Sequence, residues 1–360
     1  MKSKKFVLAM VFLLSLVLIV GCSTQTKKEE PTQSEGKKEE PKKEETKKPR
    51  IIRAGIGLND KHPQFKALEE FKKIVEEKTN GSVKVELYHS GQIGDDRTMM
   101  EALQLGTQEM TCPATAPIAN FVKEFSIFDF PFIFPNEKVA DMILDGPVGQ
   151  ELLDKLPEQG IIGLAYWENG YRQLTNDVRP VAKVEDFNGL KIRTMENQVH
   201  LDAFRALGAN PTPMPFPELF TAMQQGTVDG QENPFATIYL QKFYEVQKYV
   251  SDTNHVYSPF VLMMSKKFWD ESTPEEQKIF KEAAIATRDI NRKLNREANS
   301  KYVEELEKTG MTLTRISDED RAEMAKVVAP VIEKHKEKVG KEFADKFYKA
   351  IDEAIKATSN

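Results

Sequence analysis

The chain has 360 residues, 40% of them hydrophobic and 30% charged, with 51 Lys+Arg against 56 Asp+Glu and a formal net charge of −5. The first fifty residues hold 12 of the basic and seven of the acidic side chains, so the remainder carries 39 against 49, a net of −10 that argues against a polyanionic partner such as nucleic acid. Only one of the two cysteines, Cys112, lies in that remainder, which excludes a disulfide framework there and makes Cys112 a small buried apolar residue by expectation.

Lys2, Lys4 and Lys5 precede an uncharged run, Phe6 to Val20, that is short for a membrane span and has the form of a signal peptide over residues 1–21. The run ends in Ile19-Val20-Gly21-Cys22, which resembles the lipobox of bacterial lipoproteins and implies lipidation of Cys22 as the mature N-terminus. From Ser23 to Arg50 there is no aromatic or aliphatic residue, so 22–50 reads as a lipidated Cys followed by a disordered Lys/Glu/Pro tether, roughly 30 Å long as a coil.

Residues 51–360 are enough for two α/β lobes. Ile51–Gly57 reads as a strand, and the spacing of Phe65, Leu68, Phe71 and Val75 predicts a helix over 63–78. Asn80-Gly81 stops that helix, Val83–Leu87 alternates as a strand does, and a second helix runs from Asp95 to Leu105 before Gly106. This βαβα rhythm is that of a parallel sheet. A Phe-rich loop, Phe121 to Phe134, interrupts it. The rhythm then returns: a strand at Leu190–Thr194, a helix over Glu196–Leu207, an extended Thr212–Met214, and a helix opened by Pro217 and closed by Gly226. Thr273-Pro-Glu-Glu276 is a capping box before a helical pattern without a breaker to Thr309, roughly 50 Å long if continuous, so the helix either breaks or crosses both lobes. Ser317 opens a last helical stretch in which Pro330 should produce a kink.

Enzyme readings fail on the residues. Gly55-Ile-Gly57 lacks the third glycine of a dinucleotide fingerprint, having Asp60 there, and the five histidines show no metal-ligand spacing. Asp95-Asp96, at the mouth of a helix, matches its dipole. Arg193 is different. In Leu190-Lys-Ile-Arg193-Thr the apolar residues point one way and the cations the other, which by itself describes a solvated strand face. Yet Arg193 also stands at a strand's carboxyl end before a helix, where open α/β sheets gather ligands, and its planar fork suits a carboxylate.

The runs Gly189-Leu-Lys-Ile-Arg193-Thr, Ala206-Leu-Gly-Ala-Asn-Pro-Thr-Pro-Met214, Glu218-Leu-Phe-Thr-Ala-Met-Gln-Gln-Gly226 and Val228-Asp-Gly-Gln-Glu-Asn233-Pro closely resemble the solute-binding subunits of TRAP transporters, the DctP-like family. The resemblance extends through Gln92–Arg97 and Lys242–Lys248 and covers nearly all of 51–360. It implies a two-lobed, periplasmic-binding-protein-like α/β fold with a long helix spanning both lobes: lobe I about 51–170 plus 259–298, lobe II about 171–258 plus 299–360. It implies that Arg193 grips a ligand carboxylate, with Asn233 beside it, Phe216 packed on the ligand and Arg172 as a second contact. Thr115 and Gln198, with Glu196 and Asn197, are candidates for selecting among organic acids by hydrogen bonds, against a reading of Thr194 or Asn197 as a helix cap. Sialate binders of the family have a glutamate near Ala114, so sialate is not the expected ligand; a C4-dicarboxylate, sugar acid, hydroxy acid or keto acid all suit one arginine fork. No cofactor and no metal are implied. The partners implied are a small carboxylate ligand, the small and large membrane permease subunits, and a membrane reached by the lipid anchor on the extracytoplasmic side. A receptor-linked anion sensor or an extracytoplasmic enzyme are the other classes to test.

Overall fold

The structure, a computed structural model, describes residues 48–359. The signal segment, Cys22 and nearly all of the tether lie outside the described residues.

Eleven strands are present among them: β1 (Arg50–Gly55), β2 (Val83–Tyr88), β3 (Met110–Thr111), β4 (Ile161–Tyr171), β5 (Gln173–Asn176), β6 (Lys191–Thr194), β7 (Asn210–Pro213), β8 (Gly230–Asn233), β9 (Tyr249–Ser251), β10 (Tyr257–Ser265) and β11 (Thr312–Thr314). They build two sheets, ordered β2-β1-β3-β10-β4 and β11-β9-β5-β8-β6-β7, one for each lobe. In the first, β1 runs parallel to β2 and β3, which requires crossovers, here the helices Pro63–Lys78 and Asp96–Leu105. The second of these is bounded as its sequence dictates: the Asp95 carboxylate accepts from the Arg97 and Thr98 amides at 2.9 and 3.0 Å, and Gly106 ends it at φ 66°. β10 enters between β3 and β4, antiparallel to both, and all nine of its residues are buried. The Phe-rich segment is more than a loop. It carries a 3₁₀ turn, Lys123–Asp129, that drives Phe125, Phe128 and Phe130 fully into the first lobe's core.

The chain crosses between lobes repeatedly. β4 belongs to the first sheet and β5 to the second, and β9 to the second with β10 to the first. Gly170, at the first crossing, adopts φ 107°; a Cβ there would stand 3.0 Å from Asn299 Nδ2, so a side chain would meet both strain and a neighbour. The helix Pro274–Lys308 is unbroken, opened by the reciprocal Thr273–Glu276 capping box. It packs first on the Pro63–Lys78 helix and β4, then on the helix Phe235–Leu240 of the second lobe. Its inner face is stitched to β4: Trp167 Nε1 donates to the Ala284 carbonyl at 3.3 Å, Asn291 Oδ1 accepts from the Glu168 amide at 2.7 Å, and Asn295 Nδ2 donates to the Asn169 carbonyl at 2.7 Å.

The helix Asp318–Val339 holds Pro330 within a continuous span, so the proline does not end it. Met324 and Val328 pack with Leu174 and Ile192 in the second lobe, whereas Val339 joins Phe128 in the first. The final helix, Lys341–Thr358, then lays Phe347 and Ile351 against Phe128 and Phe134. The end of the chain therefore sits on the first lobe, which corrects the assignment of all of 299–360 to the second. An amphipathic stripe states that a face is buried and leaves its partner unspecified.

Candidate ligand-binding site

β6 lies between β7 and β8 and runs parallel to both, so their carboxyl ends open on the same side. Along it Lys191 is exposed while Arg193 is only 2% exposed, which rules out the solvated-face reading for the second cation. Arg193 Nε and Nη2 donate to the Met214 carbonyl at 2.9 and 2.6 Å; Nη1 has no hydrogen-bond partner among the described residues. Burial pushes the guanidinium pKa down to about 10, opposed by the nearby Glu232 carboxylate. The Phe216 ring centre stands 5.9 Å from the guanidinium carbon.

Arg172, at the β4–β5 crossing, is 1% exposed. Its Nε and Nη2 are taken by the Glu232 carboxylate, Nη2 also reaching the Glu232 carbonyl at 2.5 Å, and Nη1 again lacks a partner among the described residues. Burial alone would raise the Glu232 carboxyl, but Arg172, with His255 Nε2 at 3.2 Å and His200 nearby, holds it well below the usual carboxylate range. Glu232 is therefore a fixed anion that aims Arg172 and is itself used up. Asn233, next on β8, turns its Nδ2 to Gln231 Oε1 at 2.5 Å.

These residues meet at a cavity of about 650 Å³, mouth included. Arg172, Arg193, Phe216 and Asn233 all line it. Thr115 is fully buried beside the wall residue Ala114 but outside the lining, its Oγ1 without a partner among the described residues. Gln198 is not at the site: it is exposed and donates to Asp202 Oδ1 at 2.8 Å. The cause is local. Asn197 caps the helix Gln198–Ala206 by accepting from the Val199 amide at 2.8 Å, and the first helical position turns outward. Gln64 and Asn169 line the cavity although the sequence reading passed over them, Asp96 lines it although it was given another role, and Glu196, a candidate there, lines it too. With Asp95 acting as the cap, Asp96 is turned to the cavity, where burial and the Asp95 carboxylate raise its pKa to about 7 against the pull of Arg193.

The lobes are drawn together around this space. Asp129 of the first lobe accepts from Asn197 Nδ2 at 3.0 Å and lies 3.1 Å from His200 Nε2, while Asn120 Nδ2 donates to the Glu196 carbonyl at 2.7 Å. On the other flank Asn59 Nδ2 donates to the Leu240 carbonyl at 2.7 Å. His62, kept neutral because burial lowers its pKa to about 3, accepts at Nδ1 from the Gln64 amide and so donates from Nε2 to Thr237 Oγ1 at 3.2 Å. Among the described residues no cluster of His, Cys, Asp and Glu fits a metal ion, and no helix is long and apolar enough to cross a membrane.

Residues 54–338 match the family model described as bacterial extracellular solute-binding protein, family 7, or DctP. A solute-binding protein of Verminephrobacter eiseniae is 42% identical over 81% of this chain and 86% of its own. The crystal structure of a sugar acid binding protein from Advenella mimigardefordensis, in complex with galactonate, is 46% identical with a TM-score of 0.84, covering 85% of this chain and 99% of that one. A TRAP periplasmic solute-binding protein from a Polaromonas species, bound to D-erythronate, is 40% identical with a TM-score of 0.80, covering 83% and 98%.

Proposed function

The chain belongs to the DctP family of bacterial extracellular solute-binding proteins, and from that premise we propose that its cavity captures a small organic acid and that Arg193 and Arg172 hold the acid's carboxylate between them. One observation carries this reading: two buried guanidinium groups line one cavity, each anchored through Nε and Nη2, and each keeps an Nη1 without a partner among the described residues. Arg172 has the Glu232 carboxylate as its counter-ion whereas Arg193 bonds only the Met214 carbonyl, and a buried cation without its own counter-ion costs stability unless a ligand supplies the anion. Phe216 covers the Arg193 fork and Asn233 adds an amide to the wall. Capture needs no chemistry: closing the lobes removes water, and the charge-assisted bonds gain strength in the drier site.

Delivery to the two membrane permease subunits of a TRAP transporter follows from the family. Retention at the membrane by a lipid on Cys22 is the further part of this reading; it rests on Ile19-Val20-Gly21-Cys22 and the tether beyond. Titration calorimetry of an organic-acid panel tests the site: Arg193→Lys, which keeps the charge and loses the fork, should weaken binding at least about thirtyfold with the fold intact. Undiminished affinity removes Arg193 from the site. Cys22→Ser should release the protein into the soluble fraction, and continued need for detergent rejects the anchor.

A further inference from the structure

The polar atoms around the cavity that lack partners are not all alike, and their sorting describes the ligand beyond its carboxylate. On the donor side stand Arg172 Nη1 and Arg193 Nη1. The remaining wall offers acceptors. Gln64 is 1% exposed; its Nε2 is spent on the Cys112 carbonyl at 2.6 Å, which fixes the amide's orientation and leaves Oε1 unpartnered among the described residues. Glu196 Oε2 has no hydrogen bond among the described residues, its nearest cation being Arg97 Nη1 at 3.7 Å, and the Asp96 carboxyl lines the same wall. Buried acceptors of this kind are matched in native complexes, and a ligand in the cavity can match them.

We propose that the cavity is built for a polyhydroxylated monocarboxylate, an aldonate-like acid: the paired guanidinium N–H groups take its one carboxylate, and Gln64 Oε1, Asp96 and Glu196 Oε2 accept hydrogen bonds from its hydroxyls. This rests on the carboxylate site proposed above. A dicarboxylate fits poorly for an electrostatic reason. Its second carboxylate would face the like charges of Asp95 and Glu196 beside the Asp96 carboxyl, and the cation on that wall is already engaged: Arg97 Nε donates to Glu101 Oε1 at 3.1 Å and its Nη1 lies 3.7 Å from Glu196 Oε2. A hydroxyl donates to such a wall, whereas a carboxylate cannot. Apolar lining from Met195, Met214 and Phe260 leaves room for the carbon chain.

The test is a calorimetric comparison of D-erythronate with succinate, acids of equal carbon number, on the full chain, with Arg193→Lys and Asp96→Asn alongside. Expected are erythronate affinity at least a hundredfold above succinate, loss of binding in Arg193→Lys, and a tenfold or greater narrowing of the erythronate to succinate ratio in Asp96→Asn. Succinate bound as tightly as erythronate, with Arg193 still required, overturns the hydroxyl assignment and leaves the carboxylate site standing. If neither these acids nor any carboxylate in the panel binds, both readings fall. Should Asp96→Asn not fold, the wild-type ratio decides alone.

Discussion

Replacing Arg193 by methionine separates a structural arginine from one held in reserve for a ligand, because the two roles predict changes of opposite sign in stability. The guanidinium is 2% exposed and meets no carboxylate within hydrogen-bonding distance. Burial lowers its pKa to about 10, so at neutral pH, below both the folded and unfolded values, the empty protein bears a cost of about 3 kcal/mol for keeping this charge. Methionine abolishes that cost and forfeits the bonds to the Met214 carbonyl, roughly 1–3 kcal/mol. The net lies between about 0 and +2 kcal/mol, a melting temperature unchanged or raised by a few degrees at this chain length. Binding goes the other way. Breaking one member of a buried, paired charge costs about 3–5 kcal/mol, at least a hundredfold in Kd. Thermal melts of the empty variant and calorimetry with an aldonate read the two quantities independently. A melting temperature lowered by more than about 5 °C with affinity intact would refute the reasoning and return Arg193 to the core.

Three further outcomes are expected. Asp129→Ala removes two bonds between the lobes, to Asn197 and His200, without touching the cavity lining, and should weaken binding by roughly tenfold through the closed state; equal affinity, with an unchanged radius of gyration in the liganded form, would show the pin to be idle. The Asp96 pKa is raised to about 7, so the native state binds more protons than the unfolded one between about pH 4 and 7, and stability of the empty protein should fall as pH rises through that window. Asp96→Asn should flatten that slope in melts recorded across it, and an unaltered slope would exclude Asp96 as its source. Cys112 is 2% exposed and burial raises its thiol pKa, so a thiol reagent should react only on unfolding, and rapid labelling of the native protein would contradict this burial.

Much of this could be read from the chain because local rules and the final packing agree. Asp95, Thr273 and Ser317 all cap the helices they announce, and Gly106 ends its own. Arg193 was legible since a strand end and a helix start are both local marks. Arg172 was not: what aims it is Glu232, sixty residues away, and only the family resemblance pointed to it. Gln198 and Asp96 erred in opposite directions for one reason. Each follows a capping residue, and a rotation of one position around the helix start decides whether a side chain meets solvent or cavity. No pattern in the sequence displays that angle.

The place of β10 has a consequence for how the molecule comes into being. The place between β3 and the edge strand β4 in the first sheet is filled by Tyr257–Ser265, a stretch synthesised after every strand of the second lobe except β11. Until it arrives, β3 and β4 have no common neighbour, and a chain cut short before residue 257 leaves the three strands β2-β1-β3 with an open edge and β4 without a partner in that sheet. Neither half can therefore mature as a separate gene product or unfold alone: melting should be a single event, and an emerging chain stays pliable until nearly three quarters of it has been made.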